Sequence, residues 1–302
     1  MKFLRTPDER FQSLEGYDFE PHYSMVDDTE GGELRIHHVD EGPADANPVL
    51  MMHGEPSWSF LYRHMIKGFV ARGHRAVAPD LVGFGRSDKP TERSDYTYAR
   101  HVSWMGDWLR GVDLTNITLV CQDWGGLIGL RLWAEMPDRF ARIVVANTAL
   151  PTGDQPMGEA FENWRKFSQE VPVFPAGGIL KGGTQKPMSD DTIAAYDAPF
   201  PDESYKAGAR QFPMLVPASQ DDPEAEPNRK AWALIRTLQT PVLTAFGADD
   251  KVMAGIDTVF QRLCPGAKGQ PHTILPDAGH FLQEDVGAEL VDLTCDFIAR
   301  TS

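Results

Sequence analysis

Cysteine is scarce: Cys121, Cys264 and Cys295 are odd in number, widely spaced and include no Cys-x-x-Cys pair. This argues against a disulfide framework and a zinc site, and fits a reducing cytoplasm. Long apolar runs are also lacking, since no stretch approaches the roughly 20 residues that a membrane span needs. Lys2, Arg5 and Pro7 interrupt the first residues before a signal-peptide core can form. Positive charge is in short supply. With 29 Lys and Arg against 44 Asp and Glu the formal net charge is -15, a surface that repels phosphate backbones and anionic headgroups. A soluble, cytoplasmic protein is expected, without nucleic-acid or membrane partners. A neutral small molecule is left open by this charge.

What is present suits a packed core: 41% of the 302 residues are hydrophobic and 24% charged, far from the composition of a disordered chain. Short, uniformly apolar runs at Val49–Met52, Arg75–Ala78, Ile117–Cys121, Arg142–Ala146 and Val242–Phe246 read as strands buried on both faces of a parallel sheet. Trp58–Phe69, Tyr98–Gly111 and Leu127–Glu135 read as helices between them. The alternation predicts a doubly wound α/β sheet. It breaks from about residue 150 to 222, where Pro, Gly and aromatic residues surround short helical patterns. We read residues 150–222 as an inserted helical cap, with residues 1–149 and 223–302 forming the core. After the insertion, helices near Arg229–Leu238, Ile256–Leu263 and Asp285–Ala299 and a short strand near His272–Leu275 resume the rhythm.

The strand Ile117–Cys121 runs through Gln122-Asp123-Trp124-Gly125-Gly126 into a helix. That is the setting of the Gly-x-Ser-x-Gly nucleophile turn, with Asp123 in the place of serine and Cys121 in the place of the first glycine. A carboxylate is ionised at neutral pH and attacks an electrophilic carbon without a general base. The product is an ester on Asp123, and its removal by water requires a base and an oxyanion hole. An aspartate before a helix is also a favoured N-cap, so Asp123 alone leaves two readings open.

The partners come later in the chain. His280, in Asp277-Ala278-Gly279-His280-Phe281, follows a short strand and precedes the last helix, where this fold carries its catalytic base. The acid that orients the imidazole follows a late strand, in Gly247-Ala248-Asp249-Asp250-Lys251, and spacing does not separate Asp249 from Asp250. Early on, His53-Gly54-Glu55-Pro56 follows a strand where the oxyanion loop belongs, so the backbone N–H groups of Glu55 and Trp124 are the candidate donors.

Together these segments resemble the haloalkane dehalogenase family. The resemblance is carried by His53-Gly54-Glu55-Pro56-Ser57-Trp58, Asp80-Leu81-Val82-Gly83-Phe84-Gly85-Arg86-Ser87, Gln122-Asp123-Trp124-Gly125-Gly126 and Ala278-Gly279-His280-Phe281. Within the insertion, Asn163-Trp164-Arg165-Lys166-Phe167 and the stretch from Ala198-Pro199-Phe200 to Phe212-Pro213 are also similar to it. The resemblance implies an α/β-hydrolase fold and hydrolysis of a carbon–halogen bond to a primary alcohol, halide and a proton. It also implies Asp123, His280 and Asp250 as the triad and Trp124 and Trp164 as the halide-binding pair, with Phe161, Phe212, Pro213 and Val216 around the substrate. No metal or cofactor is implied. The implied partners are a small apolar halogenated substrate, water and halide, and a monomer is favoured.

Three other readings compete. An epoxide hydrolase shares the nucleophile but uses two cap tyrosines, for which Tyr196 and Tyr205 are available. A haloacid dehalogenase needs arginine near the nucleophile, and the helix after Asp123 has none before Arg131. A non-catalytic binding protein on the same fold would not need the nucleophile, base and acid together.

Overall fold

The computed structural model describes residues 1–301. Its strands are β1 (Phe3–Leu4), β2 (His22–Asp27), β3 (Glu33–Glu41), β4 (Pro48–Met52), β5 (Arg75–Pro79), β6 (Lys89–Pro90), β7 (Ile117–Gln122), β8 (Phe140–Ala146), β9 (Val242–Gly247) and β10 (Thr273–Leu275). Its α-helices are α1 (Arg63–Val70), α2 (Tyr98–Gly111), α3 (Trp124–Glu135), α4 (Glu159–Glu170), α5 (Ala176–Gly182), α6 (Asp190–Asp197), α7 (Ala207–Leu215), α8 (Ala225–Ile235), α9 (Asp257–Leu263) and α10 (Leu282–Arg300).

Eight strands form one sheet in the order β10-β9-β8-β7-β4-β5-β3-β2. The pairings from β10 through β5 are parallel, whereas β5–β3 and β3–β2 are antiparallel. The central strands are apolar because both their faces are covered. Every residue of β4, β7 and β9 is buried, and each large aliphatic side chain among them contributes about 1.5–3 kcal/mol by leaving water. Register aligns Met52 of β4 with Cys121 of β7, and Gln122 of β7 with Ala146 of β8. The carboxyl ends of these strands therefore share one edge, and the loops leaving it hold Glu55, Asp123 and Asn147 side by side.

Two features of the fold differ from the sequence reading. The antiparallel pair β2–β3 was not expected, because polar residues such as His22, His37 and His38 break its apolar pattern at the sheet margin. The helix expected over Trp58–Phe69 begins as a 3-10 turn at Ser59–Tyr62 and becomes α-helical at Arg63, since Tyr62 at φ -95°, ψ 3° leaves the α region.

Between β8 and α8 the chain inserts α4 to α7. The amino-terminal arm and the core hold this insertion. Thr6 Oγ1 donates to the carbonyl of Pro199 and Arg10 Nε to that of Ala198, both at 2.7 Å. Trp58 Nε1 donates to the carbonyl of Ala195 at 3.2 Å. Among the described residues no helix is long and apolar enough to cross a membrane.

Candidate active site

Asp123 stands between β7 and α3 with φ 49° and ψ -126°, a backbone state that costs a residue with a side chain about 1–3 kcal/mol. The surrounding loops hold it there. Its N–H donates to the carbonyl of Asn147 at 3.0 Å, and its own carbonyl accepts the Thr148 hydroxyl at 2.6 Å. Its carboxylate makes no capping bond to α3, which removes the N-cap reading. Instead Oδ1 accepts the backbone N–H of Glu55 at 2.7 Å. Two glycines permit this approach: a Cβ at Gly54 would collide with the Asp123 side chain, and one at Gly125 with the carbonyl of Met52.

The loop between β10 and α10 brings His280 to the same edge. Its Nε2 lies 3.6 Å from Oδ2 of Asp123, and its Nδ1 lies 2.8 Å from Oδ2 of Asp250. Burial separates the two acid candidates, because Asp250 is 3% exposed whereas Asp249 faces solvent. Asp250 Oδ1 also accepts the N–H groups of Val252 and Met253 at 2.9 and 3.2 Å. Burial works against ionisation of Asp250, but the His280 charge and these hydrogen bonds outweigh it and hold its pKa below the usual aspartate value.

Burial likewise opposes the charge on His280. The charge of Asp250 and the hydrogen bond to Asp123 overcome it and push the imidazole pKa up to about 10. Burial, then the Asp123 carboxylate, hold the Glu55 carboxyl well above the usual glutamate range. Glu55 Oε1 has no hydrogen-bond partner among the described residues.

Two polar residues that sequence reasoning did not single out for the site tie these loops together. Asn147 Nδ2 donates to the carbonyls of Gly279 and His280 at 2.8 and 3.1 Å, and its Oδ1 accepts the N–H of Gly247 at 2.8 Å. Gln122 Nε2 donates to the carbonyl of His280 at 3.2 Å and lies 3.1 Å from His280 Nε2. Each follows or ends a central strand, and that position was the one available signal.

A cavity of about 930 Å³ opens beside Asp123, with Glu55, Trp124, Trp164 and His280 in its wall. Phe161, Pro213 and Val216 line it. Phe212 does not: it is fully buried behind the wall, with its ring 4.6 Å from that of Trp124, because α7 turns it inward onto Trp124, His101 and Phe84. The indoles divide by partner. Trp58, Trp108, Trp133 and Trp232 each donate a hydrogen bond within the protein. Trp124 and Trp164 line the cavity and have no protein acceptor among the described residues, whereas Trp232, which also lines it, donates to the carbonyl of Leu150; two N–H donors are left for a ligand.

The rival tyrosines are elsewhere. Tyr196 is buried with its hydroxyl on Glu284, and neither it nor Tyr205 lines the cavity. Arg131 is paired with Glu224 and Glu135. Among the described residues no three His, Cys, Asp or Glu side chains are grouped to hold a metal ion.

Comparison with known proteins bears on the family. The alpha/beta hydrolase fold family matches residues 47–285. A haloalkane dehalogenase of Psychrobacter cryohalolentis is 59% identical over 99% of this chain and 98% of its own length. One of Mycolicibacterium paratuberculosis is 50% identical over 97% of both chains. The solved structure of a tetrameric haloalkane dehalogenase from Paraglaciecola agarilytica superimposes with a TM-score of 0.87 at 36% identity, covering 97% of each chain. A chain matched by this family over most of its length and so similar to these proteins belongs to the haloalkane dehalogenase family of the α/β-hydrolase fold, hydrolases that act on carbon–halide bonds.

Proposed function

We propose that Asp123, His280 and Asp250 carry out the hydrolysis in two steps. Oδ2 of Asp123 attacks the halogen-bearing carbon. The new C–O bond forms as the carbon–halogen bond breaks, and the bonding pair leaves with the halide. Trp124 and Trp164 donate their indole N–H groups to the departing anion, in an apolar cavity where such donors act strongly.

In the second step His280 takes a proton from water, whose oxygen attacks the carbonyl carbon of the ester. The negative charge develops on Oδ1. The observation that carries this reading is that Oδ1 already accepts the Glu55 N–H at 2.7 Å while Oδ2 faces His280. The first N–H of α3, on Trp124, is the second oxyanion donor. On collapse the imidazolium gives its proton to the leaving alkoxide and the new Asp123 acid passes its own proton to His280, which restores the carboxylate and releases a primary alcohol from a primary halide. Asp250 holds the Nδ1 hydrogen throughout, which leaves Nε2 to face the water.

We treat residues 1–149 and 223–302 as the catalytic core and 150–222 as a cap that closes the cavity over a small apolar halogenated substrate. All the groups assigned here come from one chain, so a monomer suffices for the chemistry. The unpaired cysteines suit a reducing cytoplasm.

Replacing the base tests the two steps. His280→Gln should release halide once per site and then stop, leaving an alkyl group on a peptide containing Asp123, visible by mass. Asp123→Ala should release none. Continued halide turnover by His280→Gln without an adduct would refute the scheme.

A further inference from the structure

A catalytic imidazole on a loop is placed only as well as the loop backbone is held. Asn147 and Gln122 hold the His280 loop from the core side. On the opposite side it is held by Asp285, a residue with no part in the motifs. Asp285 is 1% exposed and lies in the first turn of α10, five positions after His280. Its Oδ2 accepts the N–H of Gly279 at 2.8 Å.

The same carboxylate also holds the insertion. Oδ1 accepts the N–H groups of Gln185 and Lys186 at 2.9 and 2.8 Å, and the Gln185 N–H lies 3.1 Å from Oδ2 as well. Lys186 Nζ reaches the carbonyl of Asp285. One buried side chain is thus shared between the backbone next to His280 and the turn that joins α5 to α6. The two backbones also meet directly. Phe281 N–H donates to the carbonyl of Gly183 at 3.2 Å. Glycine is needed on both sides of this contact. A Cβ at Gly279 would strike the Gly183 carbonyl, and one at Gly183 would stand 2.7 Å from the Phe281 ring. One residue before Asp285, Glu284 pairs with Arg63 of α1 and accepts the hydroxyl of Tyr196 from α6. The start of α10 is therefore a junction where the core and the inserted helices meet within five residues of the base.

We propose that Asp285 is a positioning residue that makes the placement of His280 depend on how the α5–α6 turn is seated. This rests on the role given to His280 above. Displacement at Oδ1 moves Oδ2, and with it the Gly279 amide and the imidazole. The first displacement uses Asp123 and the indoles, so it is insensitive to this link. Ester hydrolysis uses His280, so it is sensitive.

The test separates the steps. Asp285→Asn keeps the shape but turns an amide NH2 toward at least one of the N–H donors it must accept. A displacement of this kind at a base slows its step by roughly 10- to 100-fold. The expected result in Asp285→Asn is a halide burst at the wild-type rate, a fall of that size in steady-state turnover, a parallel fall in KM and an alkyl adduct on Asp123. Gly183→Ala, which wedges the turn away from Phe281 and leaves Asp285 in place, should give the same signature to a smaller extent. A burst that slows along with turnover, or wild-type partition in either variant, overturns the proposal. His280→Gln run alongside keeps the two ideas apart: if it traps the ester and Asp285→Asn does not, the positioning role alone is lost. If it traps nothing, the two-step reading fails first.

Discussion

His280 Nε2 stands 3.6 Å from Oδ2 of Asp123, on the side of the imidazole opposite Asp250. The ring therefore lies between two carboxylates, one of which the proposed scheme neutralises. Burial opposes its charge, Asp250 and Asp123 sustain it, and the resulting pKa of about 10 keeps the ring protonated in the free site at neutral pH. Conversion of Asp123 to an ester removes one supporting carboxylate. The imidazole pKa then falls, and its proton must leave before the ring can accept one from water. We expect a proton to be released together with the halide burst, ahead of ester hydrolysis. Hydrolysis of the ester should weaken as pH falls through the lowered imidazole pKa. Stopped-flow with an indicator dye in weak buffer measures the proton directly. A halide burst without a simultaneous proton burst would contradict this account.

Asp250 and Asp249 are adjacent, yet only Asp250 is buried against the imidazole. Asp250→Asn presents an amide where the Nδ1 hydrogen needs an acceptor, so the ring is free to take the wrong tautomer. The expected loss of turnover is roughly 10³- to 10⁴-fold, with the ester accumulating. Asp249→Asn, at an exposed turn, should change turnover by less than about twofold. Steady-state bromide release from both variants checks the assignment, and equal losses would reject it.

The same pair shows what a sequence can and cannot convey. The strands β4, β7, β8 and β9 were legible because burial on both faces leaves an apolar signature that local reading detects. The nucleophile position was legible as a place but not as a role, since an aspartate before a helix serves equally as a cap. The φ of 49° and the bond from Glu55 to Oδ1 support the nucleophile reading, and neither is written in spacing. Asp249 and Asp250 differ only in which way the loop turns them. Phe212 matched a motif but faces Trp124 instead of the cavity, a choice made by the packing of α7. Asn147 and Asp285 were missed for a further reason. Their bonds join segments that are close only after folding, 132 residues apart for Asn147 to Gly279 and 100 for Asp285 to Gln185.

Trp124 and Trp164 face the cavity with unpartnered indole N–H groups. Trp104 also lacks a partner, but it is fully buried away from the cavity. A hydrogen bond to a charged group is worth about 1.5–3 kcal/mol, which is roughly 10- to 100-fold in affinity. Trp124→Phe and Trp164→Phe should each weaken bromide as a product inhibitor by that factor and slow the first displacement. Trp104→Phe should leave bromide inhibition unchanged. Equal bromide inhibition in all three variants would remove the indoles from the mechanism.

The cavity extends well past the reacting atoms. Besides Asp123 and Trp124 its wall includes Leu150, Phe161, Trp232, Val252, Ile256 and Phe260. At about 930 Å³ it is at the upper end of the range for drug-sized ligands, and a two-carbon halide would leave most of it empty. Each methylene laid against such a wall contributes about 0.8 kcal/mol, close to a fourfold gain in affinity. In a series of 1-bromoalkanes kcat/KM should therefore climb by up to about fourfold per methylene. The rise should stop when the chain reaches solvent. Ile256→Trp, which fills the far part without touching the reacting groups, should move that plateau to shorter chains and leave 1-bromoethane unaffected. Bromide release across the series gives both slopes. A flat wild-type profile would mean that the distant apolar wall does not bind the substrate chain.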